Sequence, residues 1–195
     1  MAIGPTEGAA LRDAVIEHGA TRTLEVGLGY AVATLFICEG LLHNGRGGRH
    51  VVIDPFQHES RPGDSELFGG AGVRALQRAG VRALVELYEE GSEVVLPRIY
   101  AGGRRFDFAF VDGSHRFENV FLDLVFCGRL LGEGDPVFVD DTHDRAVSHA
   151  VAYCTSNLGW TVQETGEEGA DQAWTILRTG PRALLERPYT EFTPW

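Results

Sequence analysis

Short β-branched and aromatic runs alternate with amphipathic segments of helical length along almost the whole chain, and that alternation leaves few folds open. Apolar runs at residues 23–26, 51–54, 83–88, 106–111 and 137–139 are each followed by helix-like spacing. Near-continuous apolar strands with helices between them are parallel strands covered on both faces. Residues 160–164 and 173–177 add two last strands without an intervening helix, so that pair is expected to be antiparallel. The expectation is an α/β chain: a Rossmann-like, doubly wound, seven-stranded, mostly parallel sheet with one antiparallel strand near the C-terminus. Ahead of the first strand, Leu11, Ala14, Val15 and His18 share one helical face. No repeat or linker breaks the 195 residues, which read as a single domain with its core at about 21–178 and a tail at 179–195.

Charge and composition narrow the chemistry. All 17 basic residues are arginine, and the net charge is -11. Without lysine there can be no Schiff base, no lysine general base and no phosphate-binding P-loop lysine. The acidic balance argues against nucleic acid and against an anionic membrane surface. No apolar run has the length of a membrane span, and Glu7, Arg12, Asp13 and Glu17 interrupt the first twenty residues where a signal peptide would be apolar. A cytoplasmic protein is expected, with Cys38, Cys127 and Cys154 as buried free thiols.

In open α/β sheets ligands bind beyond the carboxyl ends of the strands. The first strand runs into Glu25-Val26-Gly27-Leu28-Gly29-Tyr30, a tight turn opening onto a helix, and the second ends at Asp54, placed to accept hydrogen bonds from a ribose diol. A dinucleotide pattern fails, because the third glycine position counted from Gly27 is Val32. The fourth strand ends in Asp112-Gly113-Ser114-His115 and the fifth in Asp140-Asp141-Thr142-His143-Asp144. If these strands are neighbours, three carboxylates converge, repel one another, and call for a hard cation such as magnesium or calcium. Capping of the next helix by Asp141 or Thr142 would explain only one of them. His115, three residues beyond Asp112, is a general-base candidate. His18, His43, His50 and His149 read as structural or surface histidines.

Taken in order, Glu25-x-Gly27-x-Gly29, Asp54-Pro55-Phe56-Gln57, Val111-Asp112-Gly113-Ser114-His115 and Val139-Asp140-Asp141 resemble the motifs of class I S-adenosylmethionine-dependent methyltransferases. The likeness is greatest to the small metal-dependent branch containing bacterial macrolide sugar O-methyltransferases, and the chain is more distantly similar to catechol O-methyltransferases. It covers about residues 21–177.

The resemblance implies S-adenosyl-L-methionine as cofactor, contacted by Glu25, Gly27, Gly29, Tyr30, Asp54, Pro55, Phe56, Gly91, Ser92 and Asp112. It further implies Mg2+ or another divalent cation on Asp112, Asp140 and Asp141, with His115 as the catalytic residue. The expected reaction is methylation of a hydroxyl on a small acceptor: a sugar, a vicinal diol or a catechol-like natural product. The partner is then a small molecule, with no nucleic acid or membrane and a homodimer allowed. Two departures stand out: Ala31 replaces the third glycine of the turn, where a looser fit is expected, and Gly134-Asp135-Pro136 precedes the fifth strand. A metal-independent O- or N-methyltransferase and a non-catalytic nucleoside-binding module are the competing readings. Residues 57–72 are long for a βα connection and fit either a lid carrying His58, Glu59 and Arg61 or a solvated loop. Tyr189, Phe192 and Trp195 in the tail would cover the sheet, pack on a partner or line a pocket.

Overall fold

The computed structural model describes residues 2–57, 68–167, 173–186 and 191–194. The sheet order is β3-β2-β1-β4-β5-β7-β6, with strands β1 (Arg22–Val26), β2 (Arg49–Ile53), β3 (Val85–Tyr88), β4 (Phe108–Val111), β5 (Pro136–Val139), β6 (Thr161–Glu167) and β7 (Ala173–Arg178). Strands β1 to β5 pair in parallel, while β7 is antiparallel to both β5 and β6, so β7 alone is reversed. The expected fold is therefore present, and β4 and β5 lie side by side.

Among the described residues six α-helices wind around it: α1 (Pro5–His18), α2 (Val32–Asn44), α3 (Ala71–Arg78), α4 (Ser92–Ala101), α5 (Phe117–Leu130) and α6 (Arg145–Asn157). Strand alternation divides their packing. Leu24, Val26, Ala109, Val111, Val137 and Val139 face α4, α5 and α6. Phe108, Phe110 and Phe138 face α1 and α2. α1 starts with Pro5 in its first turn and ends at Gly19, whose left-handed backbone (φ 66°) returns its N–H to Ile16. No helix among the described residues is long and apolar enough to cross a membrane, and all three cysteines are free and buried.

Two strand starts shift. The run read at 83–88 becomes strand only from Val85, because Arg82–Leu84 forms a 3-10 turn closed by Leu84 N–H to Val81 O. The run read at 106–111 enters the sheet at Phe108, since the Phe106 amide is held by the Leu130 carbonyl. The last pair is longer than expected, with β6 reaching Glu167. β6 is the outer edge strand, largely exposed, and its pairing with β7 slips between Val162 and Glu164. His58, Glu59, Arg61, Tyr189 and Trp195 lie outside the described residues.

Candidate active site

The carboxyl ends of β1, β2, β4 and β5 form one rim. Gly27 holds φ 99°, and a methyl group there would come within 1.9 Å of the Asp112 carbonyl oxygen, so only glycine lets the β1 turn lie against the end of β4. Asp54 fastens the same turn. Its Oδ2 accepts from the Leu28 and Gly29 amides at 3.1 and 2.9 Å and from Gln57 Nε2 at 2.9 Å, while Oδ1 accepts from the Phe56 amide at 2.8 Å. Ala31 adopts a left-handed backbone conformation (φ 68°), and its methyl is fully buried. Tyr30 and Phe56 stand exposed beside it, with Pro55 between Asp54 and Phe56; Tyr30 meets Phe68 edge-on at 5.1 Å.

Glu25 has no exposed surface. It is wholly buried behind the turn, its carboxylate accepting from the Thr34 hydroxyl (2.9 Å to Oε2) and lying 2.5 Å from His50 Nε2. Thr23 Oγ1 sits 2.7 Å from His50 Nδ1. One ring N–H toward Glu25 and one acceptor nitrogen toward Thr23 satisfy the whole buried set. Burial raises the Glu25 carboxyl above its ordinary range, and the His50 contact opposes the shift. His50, read from sequence as merely structural, is therefore the partner of a motif residue.

Just after Gly91, Ser92 at the start of α4 meets Asp123 from α5. Asp123 is fully buried and its carboxyl is pushed up to about 7, chiefly by burial, against a hydrogen bond with Ser92 that lowers it.

The acidic end of the rim is the densest. Asp112, at the end of β4, lies beside Asp140 and Asp141, at the end of β5; burial, then Asp140 and Asp141, hold the Asp112 carboxyl well above its usual range. Burial and Asp141 also raise Asp140. One ligand atom from each of Asp112, His115 and Asp141 lies within 4.8 Å of the others. His115 bridges two carboxylates: Nε2 is 2.8 Å from Asp141 and Nδ1 2.7 Å from Asp144. A hard divalent cation fits this donor set, which is carboxylate oxygen plus one imidazole. Sequence reading missed Glu7. This α1 residue is fully buried against Asp140, and burial together with the neighbouring carboxylates pushes it up to about 9. Beside His115 and Asp144, between the first turns of α5 and α6, an open cleft of about 510 Å³ is lined by Phe117, Arg145, Ala146, His149, Phe192 and Pro194.

Residues 24–142, more than half of the chain, match the model of a family described as methyltransferase domain. No curated protein matches the sequence. Solved structures do share the fold. An O-methyltransferase from Bacillus cereus in complex with SAH is 18% identical, with 91% of this chain and 83% of that one covered at a TM-score of 0.74. The O-methyltransferase TomG from Streptomyces achromogenes, involved in tomaymycin synthesis and solved with SAM, is 20% identical over 92% and 82% of the two chains, TM-score 0.73. A putative O-methyltransferase from Klebsiella pneumoniae is 18% identical over 92% and 82%, TM-score 0.75.

Proposed function

The chain belongs to the methyltransferase-domain family, and from that premise we propose that it is an S-adenosylmethionine-dependent, divalent-cation-assisted O-methyltransferase of a small hydroxylated molecule. The observation that carries the reading is the meeting of Asp112, Asp141 and His115 within 4.8 Å at the strand-end rim, next to the glycine turn. The O-methyltransferase neighbours, two of them solved with SAM or SAH, support the choice of cofactor and of oxygen as nucleophile.

On this reading the Gly27–Tyr30 turn, pinned by Asp54, receives the cofactor's methionine part, and Gly91-Ser92 borders its adenine. Asp54 would meet the ribose through Oδ1, which among the described residues accepts only from the Phe56 amide. Glu25 acts from behind, by fixing the turn. The cation, held by Asp112 and Asp141 with Asp140 behind them, would lower the pKa of the acceptor hydroxyl and orient it. Asp144 holds one edge of the His115 ring; Nε2, 2.8 Å from Asp141, would take the hydroxyl proton once the Asp141 carboxylate turns to the cation. Methyl transfer is a direct displacement, so alignment of the acceptor oxygen with the sulfonium methyl is the protein's main contribution. The acceptor enters over the Phe117–Phe192 cleft, whose mixture of aromatic and cationic walls suits a sugar, diol or catechol-like molecule.

The same distances favour a second role for His115. A histidine with one nitrogen toward a cation site and the other held by a carboxylate is the usual arrangement of a metal ligand. Two measurements on His115→Ala separate the roles. A base predicts unchanged SAH and Mn2+ affinity by calorimetry, with turnover at least 100-fold slower. A ligand predicts that Mn2+ affinity falls as well. Unchanged turnover rejects both. Wild-type turnover that survives chelation and the Asp112→Asn substitution rejects the cation.

A further inference from the structure

The cleft beside His115 and Asp144 has walls that the chain holds in place. Phe117 stacks on Phe121 at 5.5 Å, Phe121 meets Tyr153 edge-on at 4.8 Å, and Tyr153 meets Phe192 at 6.2 Å. Phe192 belongs to the C-terminal segment, which is tied down at the next residue. The Thr193 amide donates to Asn157 Oδ1 at 2.8 Å, and Asn157 Nδ2 donates to the Thr193 carbonyl at 2.8 Å. Asn157, at the end of α6, is itself buried. Phe192 and Pro194, on either side of that clamp, therefore form a held wall of the cleft. Phe117 and Phe192 keep 38% and 51% of their surface exposed, so both present ring area to whatever enters. Arg145, the first residue of α6, brings a positive charge to the same space. Asp144, the carboxylate next to it in the chain, is taken up by His115 at 2.7 Å, and among the described residues the Arg145 guanidinium has no ion pair. Among those residues no carboxylate lines the cleft either, although the neighbouring rim is built from them.

We propose that the acceptor is a ring carrying a carboxylate as well as the hydroxyl that is methylated, with the ring against Phe117 and Phe192 and the carboxylate on Arg145. The inference deepens the O-methyltransferase reading above and rests on the acceptor occupying this cleft; it does not depend on the cation. A neutral ring would use the aromatic walls and leave the guanidinium idle. A carboxylate takes two parallel charged hydrogen bonds from that planar group. Charge also sets the acceptor's direction. Asp112, Asp140 and Asp141 at the rim repel its carboxylate, so the anionic end turns to Arg145 and the hydroxyl end to His115.

The test uses the full chain with SAH and Mn2+, and two probes, 3,4-dihydroxybenzoate and its methyl ester, which share the ring and differ in charge. Affinities are read by calorimetry. Wild type should bind the acid about tenfold more tightly than the ester, the scale of one charged hydrogen-bonded pair. Arg145→Gln should bind the two equally, and Phe192→Ala should bind both about fivefold more weakly than wild type does. A wild type that binds the ester as tightly as the acid, or binds SAH and neither probe, overturns the proposal. An Arg145→Gln protein that keeps the preference overturns it too, because the carboxylate is then read elsewhere. Phe192→Ala with wild-type affinity for both probes does the same, because the ring then lies outside the cleft. Methyl transfer from SAM to the same probes separates this inference from the cation. Equal transfer to acid and ester that stops on chelation keeps the cation-assisted reading and overturns the inference. A preference for the acid that Arg145→Gln abolishes, in an enzyme indifferent to chelation, supports the inference and rejects the cation.

Discussion

Replacing Asp54 by alanine separates what this residue does for the turn from what it would do for a ligand. Asp54 is buried, and its carboxylate satisfies four donors. In Asp54→Ala the Leu28 and Gly29 amides lose their acceptor while the packing around them stays, and each orphaned buried donor costs about 1–3 kcal/mol. The Phe56 amide and Gln57 lie nearer water and recover part of their bonding there. Loss of the buried charge's own desolvation cost offsets the sum further, leaving a net destabilisation of about 3–4 kcal/mol. For a chain of 195 residues, at roughly 2–4 °C per kcal/mol, the melting temperature should fall by about 10 °C. Asp54→Asn keeps one acceptor oxygen and the shape, so it should lose about half as much. Both are measured by circular dichroism melting without any ligand, where a ribose contact cannot contribute. An Asp54→Ala protein that melts within about 2 °C of wild type would refute the turn-clamp argument, leaving Asp54 a ligand contact only.

Other outcomes follow from the same geometry. Gly27→Ala sets a methyl 1.9 Å from the Asp112 carbonyl at φ 99°, so a loss beyond about 4 kcal/mol is expected; Gly47→Ala, at φ 69° with nothing within 4 Å, should cost only about 1 kcal/mol. Near-equal melting temperatures for the two would discard the close-approach account. Asp123 rises from its ordinary 3.8 to about 7 on folding. Between those values the folded state binds the extra proton, so its contribution is complete below about pH 4, declines as pH rises toward 7, and is flat above that. Asp123→Asn should therefore flatten the fall in stability between pH 5 and pH 8 and be more stable than wild type at pH 8. Parallel pH profiles by chemical denaturation would count against it.

The strand ends were the legible part of the site because they follow from topology. Once β4 and β5 are neighbours, Asp112, Asp140, Asp141 and His115 have to share a rim. Glu7 was illegible for a physical reason. An acidic residue in the first turn of a helix already has a sufficient explanation in the helix dipole, and nothing local reveals that this one is buried. Asp123 did leave a signal: it lies three and four residues from Val120 and Cys127 on the face that α5 buries. A charge in an apolar stripe marks either a mistake in the pattern or a partner, here Ser92. His50 gave the same hint within β2, but its partner depends on parallel register, which pairs it with Thr23 and sets it beside Glu25. The start read at residue 106 differs because Phe106 is buried just outside the ladder, and the start read at 83 because Ala83 and Leu84 lie, unburied, in a 3-10 turn. Only the backbone partners distinguish turn from ladder.

The irregular outer strand β6 bears on how copies of this molecule behave when crowded together. A sheet edge is an open template, and a second chain could lengthen it by main-chain pairing. Here that template is interrupted at Val162/Glu164, and Glu164 and Glu167 are exposed along it. A neighbour pairing there would have to bring its own glutamates against these and match the slip, in a protein already carrying a net charge of -11. The sheet thus stops growing at β6, and the tightly stacked interior strands stay shielded from intermolecular β-pairing on that side.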